Sequence, residues 1–288
     1  MKVAILGKNS YICNNFENYS KKYNFEVVTI NVRDDSWEKI NFKDFDCVLC
    51  PIGIAHVSTD PSMEQSYYRV NRDLPIAIAK KVKKDGCNYF VFFSSMIVYG
   101  KDLPIGNDFL INKGTEINPE NFYGRSKYEA ENGLLELEDN LFKVAIVRIP
   151  MVYGPKCKGN FPKLLKIAKK LPICPNIDNK RSMIFIDNLC EFFCMLINSK
   201  DSGLFHPQNS EYVSTIKIIE IAATYFGRKI WFTNMFNPII RLFSKKLDII
   251  NRIFGTKIYD KDLSPKIEAY NLISFEESVK LCVEAFSN

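Results

Sequence analysis

Short apolar runs separated by amphipathic stretches dominate the first half of the chain. Lys2–Leu6, Phe25–Ile30, Cys47–Ile52, Tyr89–Phe93 and Val144–Arg148 are five or six residues long and almost wholly apolar. Such runs read as strands, and the continuous apolar run Cys47–Ile52 as one covered on both faces. Between them, residues about 11–22, 63–84 and 123–137 repeat apolar positions three and four apart and read as helices. Asp73-Leu-Pro75 predicts a restart inside the second, because proline has no amide to donate and suits a first helical turn. Strands alternating with helices imply βαβ units and a doubly wound parallel α/β sheet. No internal repeat or low-complexity linker interrupts the pattern.

The 288 residues are 47% hydrophobic, enough for one sizeable domain or two smaller ones. The net charge of +6 is modest and the lysines are dispersed, which argues against a nucleic-acid protein and suits an anionic substrate such as a nucleotide diphosphate. The N-terminal apolar run breaks at Gly7, too early for a signal peptide, and no stretch approaches the ~18 apolar residues of a membrane span. Nine scattered cysteines fit a reducing compartment, so the expected location is cytoplasmic. Cys47 and Cys50 have CxxC spacing, but in a strand they face opposite sides, and with His56 and His206 the only histidines no metal site is expected. His56 lies on the loop after the third strand, where it either lines a pocket or plays no chemical part. Residues 234–254 space Ile240, Phe243, Leu247, Ile250 and Phe254 helically among Arg241, Lys245, Lys246 and Arg252. That stretch is either a helix pair within a domain or dimer face, or a peripheral contact with an anionic membrane.

The candidate chemistry lies around Tyr123-Gly-Arg-Ser-Lys127. It follows Phe92-Phe93-Ser94-Ser95-Met96-Ile97-Val98-Tyr99-Gly100, a buried strand running out into two serines. A tyrosine and a lysine four apart share a helix face. Tyrosine, with a free pKa near 10, needs a nearby cation to act as an acid or base at neutral pH, and Lys127 is expected to lower it. A serine hydroxyl can hold the reacting oxygen.

These segments resemble the extended short-chain dehydrogenase/reductase superfamily, in its NAD-dependent nucleotide-sugar epimerase/dehydratase branch. The resemblance rests on the start through Phe16, SSMIVYG, YGRSK, Arg148-Ile-Pro-Met-Val-Tyr-Gly-Pro155 and Arg181-Ser-Met-Ile-Phe-Ile-Asp187-Asn-Leu189, in that order, and covers nearly the whole chain. It implies a Rossmann-type fold, with residues 1–154 and 187–206 binding the dinucleotide and residues 155–186 and 207–288 forming a smaller, discontinuous substrate domain. It implies Ser95, Tyr123 and Lys127 as catalytic residues, with Ser94 packing or capping the strand end. Gly7, Ser10, Tyr11 and Ile12 would hold the cofactor's pyrophosphate, although Ser10 and Cys13 replace two glycines of the family's turn. Asn31 stands where an acidic residue bonds the ribose. Arg33, two further on, would suit the extra phosphate of NADP; the expected cofactor is NAD, which is usual in the epimerase branch, with NADP as the alternative. Gly53 and Asn71 would complete that side, while Ser95, Met96, Asn160 and Arg181 would bind substrate, Arg181 through its diphosphate.

The implied reaction is C4 epimerisation of a UDP-hexose or UDP-N-acetylhexosamine through a 4-keto intermediate. The alternatives are NAD(P)H-dependent reduction of a nucleotide-linked 4-keto-6-deoxy sugar and a non-catalytic cofactor sensor. Family dehydratases carry acidic residues after the serine, and Met96 and Ile97 do not suit that role. The family expectation for assembly is a homodimer.

Overall fold

The computed structural model describes residues 1–8, 10–54, 60–264 and 266–287. Along the chain run β1 (Lys2–Leu6), α1 (Tyr11–Tyr19), β2 (Glu26–Ile30), β3 (Cys47–Cys50), α2 (Glu64–Tyr68), α3 (Leu74–Asp85), β4 (Tyr89–Ser95), β5 (Asp108–Ile111), α4 (Phe122–Leu135) and β6 (Lys143–Ile149). They are followed by β7 (Met151–Tyr153), α5 (Phe161–Lys170), β8 (Ile173–Pro175), β9 (Met183–Phe185), α6 (Ile186–Ser199), β10 (Gly203–Phe205), α7 (Thr215–Tyr225), β11 (Trp231–Thr233), α8 (Asn237–Ser244), α9 (Asp248–Phe254), β12 (Thr256–Tyr259), α10 (Ile267–Tyr270) and α11 (Phe275–Ser287).

The chain divides into two compact units. The first comprises Met1–Lys101, Glu116–Ile149 and Leu189–Pro207. Its six strands pair in the order β10-β6-β4-β3-β1-β2, all parallel. The apolar runs form strands where predicted: β1, β3 and β4 are buried nearly end to end, whereas β2, at the edge of the sheet, is mostly half-buried with Glu26 exposed. The core between sheet and helices is built from residues such as Phe42, Phe90, Phe92, Ile78 and Leu134. Burying each such side chain contributes roughly 1.5–3 kcal/mol.

Helix ends follow local chemistry. Ser10 caps α1, its oxygen accepting the Cys13 amide at 3.0 Å. Asn121 caps α4, accepting from the Gly124 amide at 2.8 Å. The predicted restart is a π-turn over Arg69–Asp73 between α2 and α3, where the Leu74 amide reaches back to the Arg69 carbonyl. Pro75 cannot donate a helical bond, which favours this wider turn.

The second unit comprises Asp102–Thr115, Pro150–Asn188 and Gln208–Asn288. This division differs from the sequence expectation, since residues 102–115, 150–154 and 187–188 fall in the second unit and residue 207 in the first. For residues 102–115 the reason is a long-range pairing: β5 runs parallel to β12, with Asp108 opposite Thr256 and Ile111 opposite Tyr259. Only the fold brings segments so far apart in sequence together. Two further parallel pairs, β7 with β9 and β8 with β11, complete this unit's strands.

Candidate active site

In a parallel sheet, ligands bind beyond the carboxyl ends of the strands, where the order of strand connection reverses. Here that point lies between β1 and β3. A cleft of about 930 Å³ opens there, lined by Gly7 and Ser10 after β1, Arg33 and Asp34 after β2, and Ile52 and Gly53 after β3. Gly7 has φ 99°, a left-handed conformation that favours glycine, and its amide donates to the Ile30 carbonyl at 2.8 Å. Gly53 is closely packed: a Cβ there would lie 3.0 Å from Lys127 Nζ and 3.2 Å from Asn71 Oδ1, so those side chains would have to give by a few tenths of an ångström.

Asn71 is fully buried on the π-turn. Its Oδ1 accepts from the Ile54 amide at 2.7 Å, and its Nδ2 donates to Ser126 Oγ at 3.0 Å, so it ties the backbone beyond β3 to α4. The Ser10 hydroxyl caps α1 and donates to Cys13 Sγ at 2.6 Å. Cys13 is buried, and burial raises its thiol pKa, so it packs as a neutral small residue. Tyr11 and Ile12 open α1 beside Gly7. Asn31 spends its side chain locally, its amide donating to Asp34 Oδ2 at 2.7 Å and its oxygen accepting from the Arg33 amide at 3.3 Å. Arg33 and Asp34 are exposed on the cleft wall. His56 lies outside the described residues.

Ser95 ends β4, and Tyr123 and Lys127 lie one turn apart on α4. Gly124 permits this placement, because a Cβ there would meet Pro119 Cβ at 2.9 Å and the Ile97 carbonyl at 3.2 Å. Ser95 hydrogen-bonds the Tyr123 phenol and also accepts the Ile97 amide at 3.3 Å. Met96 is buried directly after it. The Lys127 ammonium is buried; it donates to the Ile52 and Phe93 carbonyls, both at 2.8 Å, and stands 4.4 Å from the Phe92 ring centre. Burial lowers its pKa to about 8, with Cys50 and Glu131 opposing the shift.

The expected depression of the Tyr123 pKa is not found. Desolvation raises it, the Ser95 hydrogen bond offsets this in part, and Lys127 directs its donors to strand-end carbonyls. The free site therefore holds a neutral phenol.

Beneath this set runs a buried network that the linear sequence does not announce. Ser94, expected only to pack or cap, donates its hydroxyl to Glu131 Oε1. Arg148 bonds Glu131 through Nη2 at 2.7 Å and through Nε to both oxygens at 3.2 Å. Its Nη1 donates to the Tyr99 hydroxyl at 2.7 Å, and that hydroxyl lies 2.9 Å from His206 Nε2. Burial, with Arg148 nearby, lowers the His206 pKa to about 3 and keeps the ring neutral. Tyr123, Lys127 and Glu131 recur every four residues, so one face of α4 carries both the candidate chemistry and its foundation. A glutamate four beyond the lysine, paired with an arginine inside an apolar strand, was the available signal.

The second unit holds the remaining candidates. Arg181 Nη2 pairs with Asp102 Oδ1 at 2.7 Å, and Nη1 donates to the carbonyls of Gly255 at 3.1 Å and Asn251 at 3.3 Å. Arg181, Asn160 and Met151 line one narrow cavity of about 10 Å³, room for about one water. Its partners spend the Arg181 fork on Asp102, a competitor that sequence reading missed.

A parallel sheet with a glycine turn after β1, a cleft at the reversal point, and a serine, tyrosine and lysine on β4 and α4 defines a nicotinamide-dependent enzyme of the short-chain dehydrogenase/reductase type. A model of the NAD dependent epimerase/dehydratase family matches residues 2–208. A UDP-glucose 4-epimerase of Vibrio cholerae is 32% identical over 245 residues, covering 81% of this chain and 73% of that protein. An N-acetyl-alpha-D-glucosaminyl-diphospho-ditrans,octacis-undecaprenol 4-epimerase of Escherichia coli O157:H7 is 24% identical over 234 residues, covering 79% and 69%. Among solved structures, a UDP-glucuronic acid 4-epimerase from Bacillus cereus in complex with NAD superposes with a TM-score of 0.74 at 16% identity, covering 100% of this chain and 99% of that one. A dTDP-4-dehydrorhamnose reductase from Clostridium acetobutylicum gives 0.74 at 18% identity, covering 100% of both chains, and shares the fold. The chain belongs to the NAD dependent epimerase/dehydratase family. It is an enzyme, and its cofactor is NAD or NADP.

Proposed function

We propose that the protein is a nucleotide-sugar 4-epimerase acting on a UDP-hexose or UDP-N-acetylhexosamine with bound NAD. The observation that carries this reading is the assembly of Ser95, Tyr123 and Lys127 at the β4 terminus, followed by the apolar pair Met96 and Ile97 rather than the acid and base that elimination of water requires. The 32% identity to a UDP-glucose 4-epimerase supports it. The first unit fits a dinucleotide, since Gly7 and Gly53 keep the cleft floor free of side chains. Gly7, Ser10, Tyr11 and Ile12 are assigned to its pyrophosphate, Asn31 and Arg33 to the adenosine ribose, and Gly53, Asn71 and Lys127 to the nicotinamide end. When bound, NAD⁺ supplies hydride acceptance and return, and a positive charge that favours the phenolate.

In this reading Tyr123 exchanges a proton with the C4 oxygen. Ser95 donates a hydrogen bond to the same oxygen and holds it in line. Lys127, one helical turn from Tyr123 and anchored on the Ile52 and Phe93 carbonyls, is assigned to the nicotinamide ribose. Within the second unit, Arg181 is assigned to the substrate diphosphate, which its planar fork matches, with Asn160 beside it.

The test is incubation of the purified protein with UDP-glucose, UDP-galactose and their N-acetylated counterparts. Products are followed by NMR, and the nicotinamide band by absorbance. Conversion between C4 epimers without net change in NADH, abolished in Tyr123→Phe, is the expected result. Consumption of NADPH with a 4-keto sugar and no epimer formed would replace this reading by the reductase, which the exposed Arg33 on the cleft wall would suit.

A further inference from the structure

We propose that α8 and the chain on either side of it form a docking surface for an anionic lipid bilayer. On α8 the ordinary arrangement is reversed. Ile239, Leu242 and Phe243, spaced to share one face, are 57%, 65% and 48% exposed, and Met235 just ahead of the helix is 71% exposed. The opposite face turns inward: Ser244 is 2% exposed and donates to the Arg241 carbonyl at 2.7 Å, and Ile240 is half-buried. The helix thus shows water the stripe that an amphipathic helix normally hides. Trp231, on β11, is 74% exposed, and tryptophan is a residue that settles at membrane–water boundaries.

Charge selects the occupant. Between Glu220 and Asp248 the chain carries Arg228, Lys229, Arg241, Lys245 and Lys246 and no acidic residue. Arg241, Lys245 and Lys246 are exposed around the apolar stripe. A second copy of the chain meeting this face across a two-fold axis would bring these cations against their own equivalents. An anionic bilayer offers the opposite charge at the rim and an apolar interior beneath the stripe, as interfacial helices require. No helix among the described residues is long and apolar enough to cross a membrane, so the contact is with one leaflet. Docking through α8 requires no particular sugar in the active site.

The experiment is flotation of the full-length protein with vesicles of phosphatidylcholine containing one quarter phosphatidylglycerol, and with phosphatidylcholine alone. It is run at about 50 mM and about 500 mM salt, either side of the screening range for charges some 10 Å apart. Expected is recovery with the anionic vesicles at low salt, falling at least tenfold on neutral vesicles or at high salt. Leu242→Glu/Phe243→Glu should lose at least tenfold in partitioning, and Lys245→Gln/Lys246→Gln about fivefold per charge removed. Both variants should keep the wild-type melting temperature and turnover. Absence of binding to anionic vesicles overturns the proposal. So does binding indifferent to charge and salt, wild-type binding by Leu242→Glu/Phe243→Glu, or a dimer that this pair dissociates without any vesicle recovery.

Discussion

Lys127 provides the sharpest test of the site's physics, because its charge is held at a cost to the fold. An unfolded lysine titrates near 10.4, whereas desolvation in the native state brings Lys127 to about 8. Between these values the unfolded chain holds a proton that the native protein has released, so stability rises with pH across this window. The contribution is complete above the unfolded value and is lost as pH falls through about 8. A separation of about 2.4, at about 1.36 kcal/mol for each pH unit, gives about 3 kcal/mol in full and about 2.5 kcal/mol between pH 7 and pH 10. The side chain is 3% exposed, so solvent screening discounts little of this. The perturbation is Lys127→Met, which keeps the stem and removes the titrating group. Wild type and variant are unfolded in urea with reductant at fixed salt, at intervals from pH 7 to pH 10, and the difference in their unfolding free energies is followed. Groups common to both cancel, and wild type should gain on the variant by about 2.5 kcal/mol over that range. A difference flat to within about 0.5 kcal/mol would refute the argument that burial holds this lysine near its titration point.

Two further substitutions probe the neighbouring chemistry. Asp102→Asn should release the Arg181 fork while Gly255 and Asn251 still orient it; calorimetry with UDP should show affinity rising several-fold, by about 1 kcal/mol, with kcat unchanged. Arg148→Met strands the buried Glu131 carboxylate and should cost about 3–5 kcal/mol, or a fall of about 6–20 °C in Tm, measured by calorimetry. Adding Glu131→Leu to Arg148→Met should return much of that loss; a double variant as unstable as the single one would show that the ion pair is not the source.

Much of the first unit was legible in the residues. Parallel strands buried on both faces must be continuously apolar, and the Lys2–Leu6 and Cys47–Cys50 runs could do little else. Tyr123, Lys127 and Ser95 were readable because helix periodicity and the end of an apolar strand fix local direction. What stayed hidden depended on partners remote in sequence. The pairing of β5 with β12, the capture of Arg181 by Asp102 and the path from Ser94 through Glu131 and Arg148 to His206 each join separate segments. The state of Tyr123 belongs to the same group: proximity in sequence promised a lysine that lowers its pKa, but burial raises it, and Lys127 spends its donors on two carbonyls.

The outward face of α8 shows the same division in reverse. Sequence alone determined that residues 234–254 are apolar and basic at helical spacing, since periodicity is a property of the chain. That this stretch breaks into α8 and α9, and that Ile239, Leu242 and Phe243 of α8 meet water while Ile240 turns inward, was decided by tertiary packing, because a stripe's direction is set by what the rest of the molecule places against it.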